Sequence, residues 1–351
     1  MRWGLIASPG EKRQRGFVAA LACLGQSVEL LPWAVVAADP DRALTTLSAC
    51  DLVRIEAPGT DEETWSALLA TVGAQHSAEG WPSGRLRHRA LAAVCAAVAA
   101  LPRFHSHPDD LLAMADKAET ARRLTAAGLP VPARLPPPNA AAGLRSALAR
   151  VGWPSVFIKP RWGSGGGGII AYRWQAEPFR TVATTTLHGS PDRPRLGKRL
   201  RRLTDPGEID ALMDLVLADG AVVERWIPKL SVAGGPVDLR VLVIAGQARH
   251  RIGRQGSGPI TNLHLDARRI APERIFASSP PAAEAAVLDV ARRSLACFPG
   301  AAYAGVDVLL DRRFRPWIAE LNGWGDLLPG LLDAGQDTFT AEIQVVLKAA
   351  A

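Results

Sequence analysis

The chain has 351 residues, 48% of them hydrophobic and 21% charged, with a formal net charge of +7. This is an ordinary globular composition with room for two or three domains, and it holds no run of about 18 apolar residues that could span a membrane. A positive balance can signal nucleic acid. Here the arginines are spread along the chain, and the one dense run, residues 193–202, is expected to be a solvated strand or loop facing an anionic substrate.

From the N-terminus, residues 1–112 are expected to form an α/β unit. Trp3–Ala7 reads as a strand, Phe17–Leu24 as a helix stopped by Gly25, and Val28–Leu31 as a second strand. Alanine-rich helices are expected near 40–48, 62–73 and 88–100, and a linker over 101–110. The opening residues lack a signal peptide's layout. Cys23, Cys50, Cys95 and Cys297 are scattered among apolar neighbours, as expected of buried thiols in a cytoplasmic protein. Asp116 can cap a helix, with Glu119 three residues on in a capping-box pattern, and Gly128 and Pro130 end that helix. An amphipathic helix over 140–151 leads into a strand at 155–159. The region 172–203 is expected to be β with a basic turn, 208–217 helical, and 221–227 a strand. Residues 237–244 and 248–252 read as paired strands, 282–297 as a helix, and 303–311 with 316–322 as a hairpin. No internal repeat is present.

Residues 156–168, Val-Phe-Ile-Lys-Pro-Arg-Trp-Gly-Ser-Gly-Gly-Gly-Gly, carry the most chemistry. An apolar strand ends on Lys159 and enters a glycine loop, followed by a β-rich stretch. Backbone N–H groups of such a loop can close around phosphate oxygens, with a lysine supplying charge. Only six lysines stand against thirty-five arginines, so a lysine placed here is unusual. A plain hairpin tip is the alternative. A dinucleotide fingerprint would have to open a helix, and a P-loop needs Lys and Ser/Thr after its last glycine. A protein-kinase loop has its lysine afterwards.

The hairpin reads Tyr303-Ala-Gly-Val-Asp-Val-Leu-Leu-Asp311, a turn, then Pro316-Trp-Ile-Ala-Glu-Leu-Asn322. A turn centred between Arg313 and Phe314 sets Asp307 opposite Glu320, with Asn322 on the same face. Converging carboxylates repel unless a cation lies between them or arginines pair with them, and oxygen donors suit Mg²⁺. Glu224 lies mid-strand where a base or ribose could be held. Asp238 and Arg240 share a strand face, and Arg254, Asn262 and His264 follow in a Gly/Ser/Pro-rich stretch. Arg54, Glu56 and Gly59 follow a strand and could line a cleft.

In this order the motifs resemble the ATP-grasp family, on the branch of ribosomal-protein glutamate ligases and glutathione synthetases. The resembling residues are Asp116-Lys117, Phe157–Pro160, Gly163–Gly168, Val223–Ile227, Val237–Arg240, Thr261–His264, Gly305–Asp307 and Glu320–Asn322. The resemblance implies an α/β fold of two α+β lobes clamping ATP behind an N-terminal α/β domain. The expected divisions are 1–112, 113–222 and 223–351. Lys117, Lys159, Glu224, Asp238 and the loop residues Gly163, Ser164, Gly165, Gly166, Gly167 and Gly168 would bind ATP. Asp307, Glu320 and Asn322 would hold Mg²⁺. Arg240, Arg254 and Asn262 would serve catalysis. Ile260 stands where that branch usually has an arginine, and Arg254 or the basic run could compensate. The implied reaction joins a small-molecule or peptide carboxylate to an amine through an acyl phosphate. The alternatives are a kinase-like phosphotransferase and a nucleotide-binding protein without turnover. Neither a membrane nor a nucleic acid is the expected partner.

Overall fold

The computed structural model describes residues 1–76, 81–163, 165–190, 193–265, 267–324 and 328–350. Three sheets organise it. The first is parallel, in the order β2 (Ser27–Pro32), β1 (Arg2–Ala7), β3 (Leu52–Ile55). Its central strand is a near-continuous apolar run, as a parallel strand covered on both faces requires. Gly4 lies in it because an added Cβ would stand 2.7 Å from Leu47 Cδ2. Helices α1 (Lys12–Cys23), α2 (Trp33–Ala38), α3 (Pro40–Ser48), α4 (Glu62–Ala70) and α5 (Gly84–Val98) complete the unit.

Two helices lead out of it, α6 (Pro108–Ala115) and α7 (Lys117–Ala126). The Asp116 carboxylate caps α7 by accepting from the N–H groups of Ala118 and Glu119 at 2.9 and 3.2 Å. Glu119 does not return the bond of a capping box; it pairs with Arg122 and Arg123.

The second sheet runs β4 (Arg134–Leu135), β9 (Ala221–Arg225), β5 (Ser155–Pro160), β6 (Ile170–Gln175), β7 (Arg180–His188), β8 (Arg195–Leu203). Helices α8 (Ala141–Val151) and α9 (Pro206–Asp219) cover it around a separate core that includes Val156, Ile158, Leu144 and Met213. The basic run is therefore an edge strand, β8, rather than a turn.

The third sheet has β11 (Gly235–Ile244) between β12 (Gln247–Gln255) and β14 (Tyr303–Leu310), with β13 (Arg268–Ile270) and β15 (Pro316–Asn322) outside and β10 (Ser231–Val232) on β11. Helices α10 (Pro272–Phe276), α11 (Ala283–Leu295) and α12 (Thr338–Ala350) accompany it. One core joins this sheet to the N-terminal unit. Helix α12 returns to that unit, where Phe339 and Ile343 pack with Trp3, Leu5 and Phe17.

The structure differs from the sequence expectations in several places. The linker expected over 101–110 already starts α6 at Pro108, and α2 and α12 were not anticipated. The division expected after residue 222 falls inside β9, which pairs with β5, so Glu224 belongs to the second sheet. All four cysteines are free, but only Cys95 is buried, and Cys23 is exposed. Arg54 and Glu56 do not reach a cleft: each is 1% exposed, inside the N-terminal core. No described helix is long and apolar enough to cross a membrane.

Candidate functional site

The facing sides of the second and third sheets form a cleft. Strand β5 alternates, with Val156 and Ile158 in the core and Phe157 and Lys159 turned to the cleft. Glu224 on β9 pairs opposite Phe157 and shares that face. Its carboxylate is 2.5 Å from Lys159 Nζ and also takes a hydrogen bond from Arg134. Burial pushes the Glu224 carboxyl up, but Lys159 and Arg134 together outweigh it and hold the pKa below the ordinary range.

Across the cleft, Asp238 on β11 lies opposite Arg254 on β12. Asp238 accepts from Arg254 Nε at 2.7 Å, from Lys229 Nζ at 3.0 Å, and from the Thr261 hydroxyl. Burial raises its pKa, and Arg254 and Lys229 more than reverse the effect, leaving it lowered. Arg240 lies opposite Asp307. The Nη2 atoms of Arg240 and Arg254 both stand 3.1 Å from Asp307 Oδ2. A chain of alternating charge thus runs from Lys229 through Asp238, Arg254 and Asp307 to Arg240.

Lys117, the first residue of α7, joins the two sides. Its ammonium donates to the Gly163 carbonyl and stands 3.6 Å from Glu320 Oε1. Asp307 does pair with Glu320, through a β-bulge. From the tip to Val308–Ile318 the register runs without a break, then Ala319 is skipped and Asp307 meets Glu320. The bulge sets Ile318 and Leu321, three residues apart, both in the core, and leaves Glu320 on the cleft side. Asn322 pairs opposite Gly305, with its Nδ2 3.5 Å from the Gly305 carbonyl.

The glycine loop is shaped rather than bare. Gly165, Gly166 and Gly168 have φ of +64°, +76° and +73°, which side chains rarely adopt. The Thr186 hydroxyl donates to the Gly166 carbonyl at 3.1 Å and accepts from Gly168 N–H at 3.0 Å. A Cβ on Gly168 would stand 2.4 Å from Trp81, and one on Gly166 would stand 3.3 Å from Asn262 Nδ2. The loop therefore reaches both the N-terminal unit and the Asn262 turn. Gly163 and Gly167 line a second, larger cavity. Ser164 lies outside the described residues.

Among the described residues six cationic side chains, Lys117, Arg134, Lys159, Lys229, Arg240 and Arg254, thus meet four carboxylates, Glu224, Asp238, Asp307 and Glu320. The surplus is positive, which suits an anionic ligand. Buried Ile260 lines the cleft, as does Arg254, whereas no residue of 193–202 does. Asp307, Glu320 and Asn322 lie on paired strands and offer only oxygen donors to a metal. That chemistry fits Mg²⁺ in kind, although Asp307 here faces two arginines. Among the described residues no three His, Cys, Asp or Glu side chains cluster as a metal site.

Sequence reasoning missed Arg134, and it also missed Lys229. The scarcity of lysine that singled out Lys159 applied equally to Lys229. The Glu56 carboxyl is likewise lowered, because Arg13 and Arg54 outweigh its burial. Carboxyls depressed on folding stabilise the native state fully above their unfolded pKa, about 4, and lose that contribution as pH falls through the depressed values. Circular dichroism is expected to show stability falling steeply below about pH 4. In Glu224→Gln that loss should be smaller.

The family model described as YheC/D like ATP-grasp matches residues 139–326. No curated protein matches the sequence. Among solved structures, D-cycloserine synthetase DcsG is 16% identical with TM-score 0.63, covering 100% of both chains. The ATP-grasp ligase PsnB, complexed with minimal precursor, Mg and ADP, is 16% identical with TM-score 0.57, covering 99% of this chain and 97% of that one. D-alanine–D-alanine ligase from Bacillus anthracis is 11% identical with TM-score 0.55, covering 99% and 96%. At these identities the likeness is one of fold.

Proposed function

Because the chain belongs to the YheC/D-like ATP-grasp family, we propose that it is an ATP-dependent ligase that activates a carboxylate as an acyl phosphate and passes the acyl group to an amine. The observation that carries this reading is the cleft itself. A lysine–glutamate pair on the second sheet faces a charge chain on the third, with the glycine loop beside them and positive charge in excess.

Lys159 and Arg134 hold Glu224 ionised, ready to accept hydrogen bonds from a base or ribose. The free amides of the glycine loop, with Lys117 at its foot, would close on phosphate oxygens. Arg240 and Arg254 can turn from Asp307 toward a transferred phosphoryl group or a substrate carboxylate. Asp307, Glu320 and Asn322 would hold Mg²⁺, which when bound offsets phosphate charge. The carboxylate attacks the γ-phosphorus, forming a new P–O bond as the bond to ADP breaks. The amine then displaces phosphate and loses a proton. Closing the loop would exclude water that otherwise hydrolyses the acyl phosphate.

Lys159→Met keeps much of the aliphatic bulk and removes the charge, while Glu224 retains Arg134. Calorimetry is expected to show ATP binding weakened by roughly 1.5–3 kcal/mol, as for a lost charged hydrogen bond. Unchanged affinity would overturn the nucleotide assignment. A screen of acids and amines with ATP and Mg²⁺ tests the reaction: a ligase releases ADP and phosphate only with both cosubstrates, whereas ADP with a phosphorylated product marks a phosphotransferase.

A further inference from the structure

Glu320 lies at the junction of the nucleotide cleft and a second cavity of about 490 Å³. This volume is that of a metabolite pocket. It is walled by the N-terminal unit, the glycine loop and the end of β15. Four of the chain's ten tryptophans, Trp65, Trp81, Trp162 and Trp324, line it. They come from four separate segments, so no single amphipathic element accounts for the cluster.

Arg87 on α5 faces the same space. Its guanidinium lies 4.5 Å from the centre of the Trp65 ring. Among the described residues no carboxylate pairs with it, and burial alone lowers its pKa. The other wall cation, Arg13, is already engaged by Glu56 at 2.6 Å. A half-buried guanidinium on an aromatic face, with no carboxylate paired to it among the described residues, is an anion receptor. An amine would meet the opposite preference.

On the ligase reading above, we propose that this cavity takes the carboxylate cosubstrate, and that this substrate is an aromatic acid, its ring set among the tryptophans and an anionic group held by Arg87. Aromatic walls favour a flat apolar body by stacking. Arg87 selects acid over amine, and Glu320 places the bound acid next to the nucleotide.

The test is direct binding to the full chain without nucleotide, by calorimetry, with 3-phenylpropanoate, butanoate and 3-phenylpropylamine as probes. The phenyl acid is expected to bind at least tenfold more tightly than either of the others. Arg87→Met should lower its affinity about tenfold or more, and Arg87→Lys should recover part of the loss, with ATP affinity and the melting temperature unchanged. Equal affinity for the three probes, binding of none of them, or an Arg87→Met variant that binds as wild type would overturn the proposal. ATP binding measured on the same preparation reports on the ligase reading separately. Intact ATP binding without acid binding removes only the aromatic acid, and acid binding without ATP binding removes only the ligase.

Discussion

Glu320→Gln is expected to reduce ATP turnover by a factor on the order of 100 to 1000, the size of effect seen when a charge-stabilising group is removed from a reaction centre. Three observations converge on this residue. It pairs opposite Asp307, it lines both cavities, and it is the carboxylate nearest to Lys117, whose ammonium is tied to the glycine loop. The amide keeps the shape but supplies no charge to a cation or to Lys117. The side chain is 23% exposed and has no part in the core, so the melting temperature should change little. ADP production with Mg²⁺, measured beside a thermal melt, checks both halves. Turnover at the wild-type rate would remove Glu320 from the centre of the site.

Arg54→Met should destabilise the fold by about 3–5 kcal/mol, the cost of stranding buried charge. Arg54 is fully enclosed, with its guanidinium 4.3 Å from the Phe17 ring centre and 4.6 Å from that of Tyr303. It bonds Glu56 on the N-terminal unit at 3.0 Å and Glu342 on α12 at 2.5 Å. The two carboxylates differ in what they would lose. Glu56 keeps Arg13. Burial pushes Glu342 above the usual carboxylate range even with Arg54 present, and the variant removes the arginine that is bonded to it. Urea unfolding is the measurement. Arg54→Met combined with Glu342→Leu should recover much of the loss, since replacing both members of a buried pair costs less than removing one. A loss below about 1 kcal/mol for the single variant would mean that water reaches the cluster.

Much of this was legible from local pattern. Period-two burial along β5, the Asp116 cap, and the hairpin of β14 and β15 are all written in short stretches of sequence. What was not legible depends on distant partners. Arg54 and Glu56 lie at the C-terminal end of β3, a usual place for cleft residues, and only the return of α12 with Glu342 turns that place into core. Glu224 could be placed in a strand but not in a sheet, because an antiparallel partner sixty-odd residues away decides that. The tryptophans that meet in the second cavity share no motif, since they are brought together by the packing of three units.

The extra residue at Ala319 gives the two halves of the last hairpin opposite parity. Before Ala319 the core residue of β15 is Ile318, at an even-numbered position; beyond it the core residue is Leu321, at an odd-numbered one. Hydrophobicity alone therefore reads this strand with one phase, and its chemistry needs the other. Deleting Ala319 would join Ile318 to Glu320 and leave Glu320 opposite Asp307 in an unbulged ladder, whereas keeping Ala319 and pairing it with Asp307 would turn Glu320 into the apolar layer and Leu321 toward the cleft. Pairing register at this point thus decides whether Glu320 faces the cleft, and it carries as much information as residue identity.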